Sequence, residues 1–212
     1  MKHIYCISGF GADERLFSHL NFGDNYVHFI QWKIPLPKET MVDYVARMAE
    51  EIVHPNPILA GISFGGMVSI EIAKTISIEK IILISSVKNF HEMPLYMRLT
   101  GKSKINKIFP LKPYSFLEPI ENYNLGITNE EEKSLANEYR KNINPIYLDW
   151  SINEIVNWKN DWRPENLLHI HGSNDHIFPL KKIKADYVIP DGGHFMVMNK
   201  ADEVSQILKE IL

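Results

Sequence analysis

The chain has 212 residues, 45% of them apolar, enough for one α/β domain with a sizeable buried core. A net charge of −3 offers no basic field to a nucleic-acid backbone and no polybasic patch to a membrane surface. No apolar run approaches the roughly 20 residues of a membrane span, and a single cysteine, Cys6, rules out an intramolecular disulfide and fits a reducing cytoplasm.

The N-terminal stretch MKHIYCISGFG has a short apolar run cut by Gly9 and Gly11. It reads as a strand over His3–Ile7, not as a signal peptide, with Cys6 a buried structural thiol. A short helix is expected over residues 13–20 and a second strand over residues 26–32, ended by Pro35 and Pro37. Thr40 opens a helix. Thr40 and Asp43 resemble a capping box, and Met41, Val45, Met48 and Ile52 recur at helical spacing. A third strand over residues 57–62 leads into a helix over 64–77 with little polar surface, where Met67 reads as core. Residues 80–86 hold IILIS, apolar on both faces, as a fourth strand. Residues 167–171 and 187–189 read as the fifth and sixth strands. An amphipathic helix over 201–212 carries Val204, Ile207, Leu208 and Ile211 on one side.

Short apolar runs alternating with helices predict a parallel sheet covered on both faces. The alternation breaks between Val87 and Trp162, where helix signals replace strands. Thr128 to Glu131 reads as a capping box, and Asn144-Pro145 as an N-cap followed by proline at the first helical position. The stretch is rich in aromatics, among them Phe90, Tyr96, Phe109, Tyr114, Phe116, Tyr123, Tyr139, Tyr147, Trp150 and Trp158. Some are expected to pack onto the sheet and others to line an apolar pocket, while Trp158 and Trp162 are expected to close the core beside the fifth strand. A helical insertion here falls at the carboxyl edge of the sheet, where open α/β folds bind ligands.

Gly61-Ile62-Ser63-Phe64-Gly65 matches G-x-S-x-G between a predicted strand and a predicted helix, the context this motif requires. A sharp turn there lifts the serine hydroxyl above the sheet, and small residues two positions either side let strand and helix cross. The helix N-terminus adds partial positive charge, and the Phe64 N–H points toward any oxyanion formed. A phosphate-binding loop is excluded, since neither Gly-Lys-Ser/Thr nor G-x-G-x-x-G occurs at this turn. A serine hydroxyl needs a base to become a nucleophile. Asp175 follows the fifth strand in His171-Gly172-Ser173-Asn174-Asp175, and His194 follows the sixth in Gly192-Gly193-His194. Both fall on loops at the edge that bears Ser63, in the chain order Ser, Asp, His.

On these residues the chain resembles a small α/β-hydrolase fold protein. The similarity covers most of the chain: SGFGAD after the first strand, the GISFGG elbow, HGSNDHIFP and DGGHFMV. It implies a three-layer α/β/α sandwich around a mostly parallel sheet of about six strands. One domain spans 1–212, with a helical cap inserted at 88–162. The resemblance also implies Ser63 as nucleophile, His194 as base and then acid, and Asp175 as its orienter. Gly61 and Gly65 become the elbow glycines, and the Phe10 and Phe64 N–H groups the oxyanion hole. Ser8-Gly9-Phe10-Gly11 departs from the usual H-G-x-G. The short Asp175–Tyr187 connection, holding Pro179, predicts a reduced or absent crossover helix.

Other candidates read as structural. His169, His171 and His176 do not make a metal set, since no H-E-x-x-H and no Cys/His pairing occurs; neither metal nor cofactor is expected. Asp191 is closer in sequence to His194 than Asp175 is, but it sits in a Pro-Asp-Gly-Gly turn. Asp202 and Glu203 suit the first turn of the last helix, and Glu130, Glu131 and Glu132 the start of a solvated one. The leading expectation is a cytoplasmic serine hydrolase acting on a small or medium carboxylic ester or thioester. Its partner is a small acyl substrate, with neither nucleic acid nor a membrane span. Carbon–carbon hydrolysis or elimination by the same triad, and a non-catalytic ligand-binding module, are the alternatives.

Overall fold

The computed structural model describes residues 1–103 and 117–212. Six parallel strands form one sheet in the order β2-β1-β3-β4-β5-β6. They are β1 (His3–Ile7), β2 (Tyr26–Ile30), β3 (Ile58–Ile62), β4 (Lys80–Ile84), β5 (Leu167–Gly172) and β6 (Tyr187–Ile189). β3 is buried at every position and β4 at all but its first, because both lie inside the sheet with helices on either face.

Successive side chains supply two separate cores. Ile4, Cys6, Ile58, Ala60, Ile82, Ile84 and Ile170 face one way, onto α8 (Ala201–Ile211) and the short α7 (Met196–Asn199). Tyr5, Ile7, Leu59, Ile81, Leu83 and Leu167 face the other, onto α1 (Met41–Ala49) and α2 (Phe64–Ala73). The result is the three-layer sandwich expected from the sequence. α1 is amphipathic, burying Met41, Tyr44, Val45 and Met48 while Val42 stays exposed. α2 is apolar nearly all round and buried from Phe64 to Ile72.

The remaining helices among the described residues between β4 and β5 are α3 (Leu95–Ser103), α4 (Glu118–Leu125), α5 (Glu130–Asn142) and α6 (Pro145–Asn157). Phe109, Tyr114 and Phe116 of the predicted aromatic set lie outside the described residues.

Several boundaries differ from the sequence reading. The helix expected over 13–20 is only a 3-10 turn, Glu14–Phe17, capped by Asp13, whose side chain accepts from the Arg15 N–H. β2 stops at Ile30, and the Trp32 indole instead donates to the Gly9 carbonyl at 3.0 Å. α2 stops at Ala73, because the Thr75 amide and hydroxyl both turn back onto the Ile72 carbonyl. At α5 the cap is shifted by one residue. Asn129, not Thr128, accepts from the Glu132 N–H at 3.0 Å, and the Glu132 carboxylate reaches back to the Thr128 N–H at 2.7 Å. Glu132 is therefore buried, against the solvated start expected of that glutamate run. Asn144 caps α6 as read, accepting from the Ile146 and Tyr147 amides. Trp158 closes the core and donates to Glu71 at 2.8 Å, whereas Trp162 is 41% exposed. Between Asp175 and β6 only the 3-10 turn Leu180–Lys182 stands in for a crossover helix.

Candidate active site

Ser63 sits between β3 and α2 with φ 53° and ψ −119°, a conformation an L-residue adopts only at a cost of about 1–3 kcal/mol. Three hydrogen bonds hold it there. Its N–H donates to the Ile84 carbonyl at 3.0 Å, and its own carbonyl accepts from the Gly66 N–H at 3.0 Å and the Ser86 hydroxyl at 2.6 Å. The flanking glycines are steric necessities. A Cβ on Gly61 would lie 2.4 Å from the Gly65 carbonyl oxygen, and one on Gly65 would lie 2.2 Å from that of Ile7. Ser63 itself remains half-exposed.

Asp175, in the loop after β5, is 2% exposed. Its Oδ1 accepts from the Ile177 and Phe178 amides at 2.9 and 2.8 Å, which fixes the carboxylate and leaves Oδ2 for His194. Burial alone would raise the Asp175 pKa; the neighbouring His194 and His171 imidazoles and the hydrogen bonds outweigh it and hold the carboxyl below its ordinary range. His194 Nδ1 lies 2.8 Å from Asp175 Oδ2, and His194 Nε2 lies 2.9 Å from Ser63 Oγ. A carboxylate only accepts, so Nδ1 carries the proton, and Nε2 is left to accept from the serine hydroxyl. Asp191, the competing acid, is exposed on its turn, where its amide donates to Ser173 Oγ at 2.8 Å.

These groups converge where the strand order reverses, between β1 and β3, at the carboxyl edge of the sheet. The β1 loop brings Phe10 to the same place. Among the described residues no acceptor takes the amide N–H of Phe10 or of Phe64. Aromatics from α6 pack over these two residues: Tyr147 on Phe10 at 6.0 Å and Trp150 edge-on to Phe64 at 6.3 Å, with Trp32 stacked on Phe64 at 5.2 Å. α4 docks on the histidine loop, where the Phe195 N–H donates to the Leu125 carbonyl at 2.8 Å and Gly126 lies against Gly193.

No family model matches the sequence, and no curated protein is a significant match to it. Solved structures do match. An esterase from Thermogutta terrifontis, solved with malate bound, is 17% identical with a TM-score of 0.76, covering 99% of this chain and 89% of its own. MenH from S. aureus is 17% identical with a TM-score of 0.75 over 100% and 93% of the two chains. A bromoperoxidase from Bacillus anthracis is 18% identical with a TM-score of 0.73 over 99% and 91%. The chain has the α/β-hydrolase fold. At these identities the likeness carries the fold and no particular chemistry, since the matched proteins are named for different reactions.

One part of the site was not foreseen. Behind Asp175 runs a buried chain of polar groups. His171 Nε2 lies 3.6 Å from Asp175 Oδ2 and 2.8 Å from the Phe178 carbonyl; His171 Nδ1 lies 3.2 Å from His169 Nε2; and His169 Nδ1 lies 3.3 Å from Lys88 Nζ. Lys88, 2% exposed, also meets Glu92 at 3.2 Å and the Lys184 carbonyl. An ammonium only donates, so His169 Nδ1 accepts, His169 Nε2 donates to His171, and His171 Nε2 donates to the Phe178 carbonyl. Burial pushes both imidazoles below their usual range, His169 most strongly. The alternation of His169 and His171 on one strand was the available signal; that Lys88 would meet them was not readable from spacing.

Among the described residues no helix is long and apolar enough to cross a membrane.

Proposed function

We propose that this chain is a serine hydrolase that cleaves a small or medium carboxylic ester or thioester through an acyl-enzyme on Ser63. The observation that supports it is the continuous Ser63–His194–Asp175 hydrogen-bond line, at 2.9 and 2.8 Å, ending on a strained serine. His194 Nε2 takes the Ser63 proton as Oγ bonds to the substrate carbonyl carbon and the C=O π pair moves onto oxygen. The Phe10 and Phe64 N–H groups receive that oxyanion, each such donor being worth about 3–4 kcal/mol. The tetrahedral intermediate collapses, and the leaving alkoxide or thiolate departs with the proton from His194. Water then attacks the acyl-enzyme, giving its proton to His194, and the second collapse releases the acid and returns the proton to Ser63 Oγ.

Residues 88–162 act in this reading as a cap within a single domain, with Tyr147, Trp150 and Trp32 as the apolar wall for the acyl group. The buried, unpaired Cys6 thiol suits a cytoplasmic enzyme. A panel of p-nitrophenyl esters and acyl thioesters of rising chain length tests the proposal. Ser63→Ala is expected to lower kcat/KM at least about 10⁴-fold, and Asp175→Asn about as much at neutral pH. Full activity of Ser63→Ala on every ester cleaved by the native chain would refute the assignment of Ser63.

A further inference from the structure

A cluster of three imidazoles lies at the amino-terminal half of the sheet, away from Ser63. His3 opens β1, His28 lies on β2 opposite Tyr5, and His54 lies in the loop leading to β3. His3 Nδ1 is 2.9 Å from His28 Nε2. The His3 and His54 rings stack at 3.5 Å with 10° between their planes, and the His28 and His54 rings lie 5.0 Å apart. One ring nitrogen from each residue falls within 4.8 Å of the other two, and all three residues are half-buried.

We propose that His3, His28 and His54 form a binding site for a divalent transition-metal ion of the zinc class, distinct from the Ser63 site. Three imidazole nitrogens converging from separate segments are the donor set that Zn²⁺ and its neighbours prefer, with a fourth, solvent-facing position for water. No carboxylate belongs to the cluster, so hard cations such as Ca²⁺ or Mg²⁺ are not its ligands. Coordination requires the His3 and His54 rings to unstack, since two parallel imidazoles 3.5 Å apart cannot both hold one ion in their ring planes. The proton shared between His3 Nδ1 and His28 Nε2 moves to the outer nitrogen of its own ring as the ion enters, so no net proton is required there.

The support behind the ligands is also in place. His54 Nδ1 lies 2.7 Å from the Tyr5 hydroxyl, whose oxygen also accepts from the Val53 N–H at 3.1 Å. With an ion on Nε2, His54 Nδ1 carries the proton and donates to the Tyr5 oxygen, which orients the ring, the usual role of an outer-shell partner. Because the ligands come from β1, β2 and the loop before β3, a bound ion ties these three segments together. Its role is structural, and it does not depend on the hydrolase proposal.

The experiment is a titration of the untagged, metal-free chain with Co²⁺ and Zn²⁺, followed by the visible d–d bands of Co²⁺ and by the thermal midpoint. The expected result is one Co²⁺ per chain with tetrahedral bands, displaced by Zn²⁺, and a zinc-dependent rise in midpoint. His28→Gln and His54→Gln, with folding checked by circular dichroism, should each lose the bands and the rise. Tyr5→Phe should keep the bands and weaken binding about tenfold. No stoichiometric binding by the native chain, or equal binding by the folded glutamine variants, would overturn the proposal. Ester hydrolysis by the metal-free chain is expected to be unchanged, so a failure here and a failure of the hydrolase reading are separately visible.

Discussion

Ser63 is tolerable in its conformation only because two glycines remove the atoms that would collide with the Gly65 and Ile7 carbonyls. That requirement is local, which is why G-x-S-x-G, together with the glycines before Asp175 and His194, was legible without a structure. Lys88, Glu92, His169 and His171 form the opposite case. Lys88 and His169 are 81 positions apart, and nothing in either neighbourhood announces that they meet. Their burial makes them costly to disturb. Lys88→Met leaves Glu92 as a buried charge without its cation and is expected to cost about 3–5 kcal/mol in urea denaturation. Adding Glu92→Leu should recover part of that loss; a single variant as stable as the native chain would show that the pair is not desolvated as described.

Elements were legible in proportion to how far their signals are local. α1 and α8 follow from 3.6-residue periodicity, and α6 from Asn144-Pro145. The cap of α5 was misplaced by one residue because Thr128-Asn129 offers two adjacent side chains with similar capping chemistry; the wider Glu132 link to both decides for Asn129. Asn129→Ala is accordingly expected to lower stability by about 1 kcal/mol, measured from the denaturation midpoint at constant slope. An unchanged midpoint would return the cap to Thr128. The ends of β2 and α2 were overrun because side-chain hydrogen bonds from Trp32 and Thr75, not local propensity, stop them.

Over the whole molecule, the parallel six-stranded sheet and its two cores were readable because each strand carries its own apolar run. The sorting of the aromatics between β4 and β5 was not, since it depends on how α6 settles over Phe10 and Phe64. The buried imidazoles give the molecule a shared dependence on pH. His169 and His171 have folded pKa values below the unfolded 6.5, so below that pH the unfolded chain binds more protons and stability falls. Asp175 acts in the same direction in a lower pH window. Its lowered folded pKa adds stability above the unfolded 3.8, and that part is lost only as the pH falls through the folded value. Stability at pH 5.5 should therefore be lower than at pH 7.5, with a smaller difference in His169→Gln; equal slopes in the two proteins would remove His169 from the account.

The most direct measurement is labelling of the purified chain with a fluorophosphonate, with the modified residue mapped by mass spectrometry. An activated serine predicts one label, on Ser63, that His194→Ala abolishes while remaining folded. A folded native chain that takes no label and cleaves no short ester, or a label on Ser63 that survives His194→Ala at the native rate, would contradict the account.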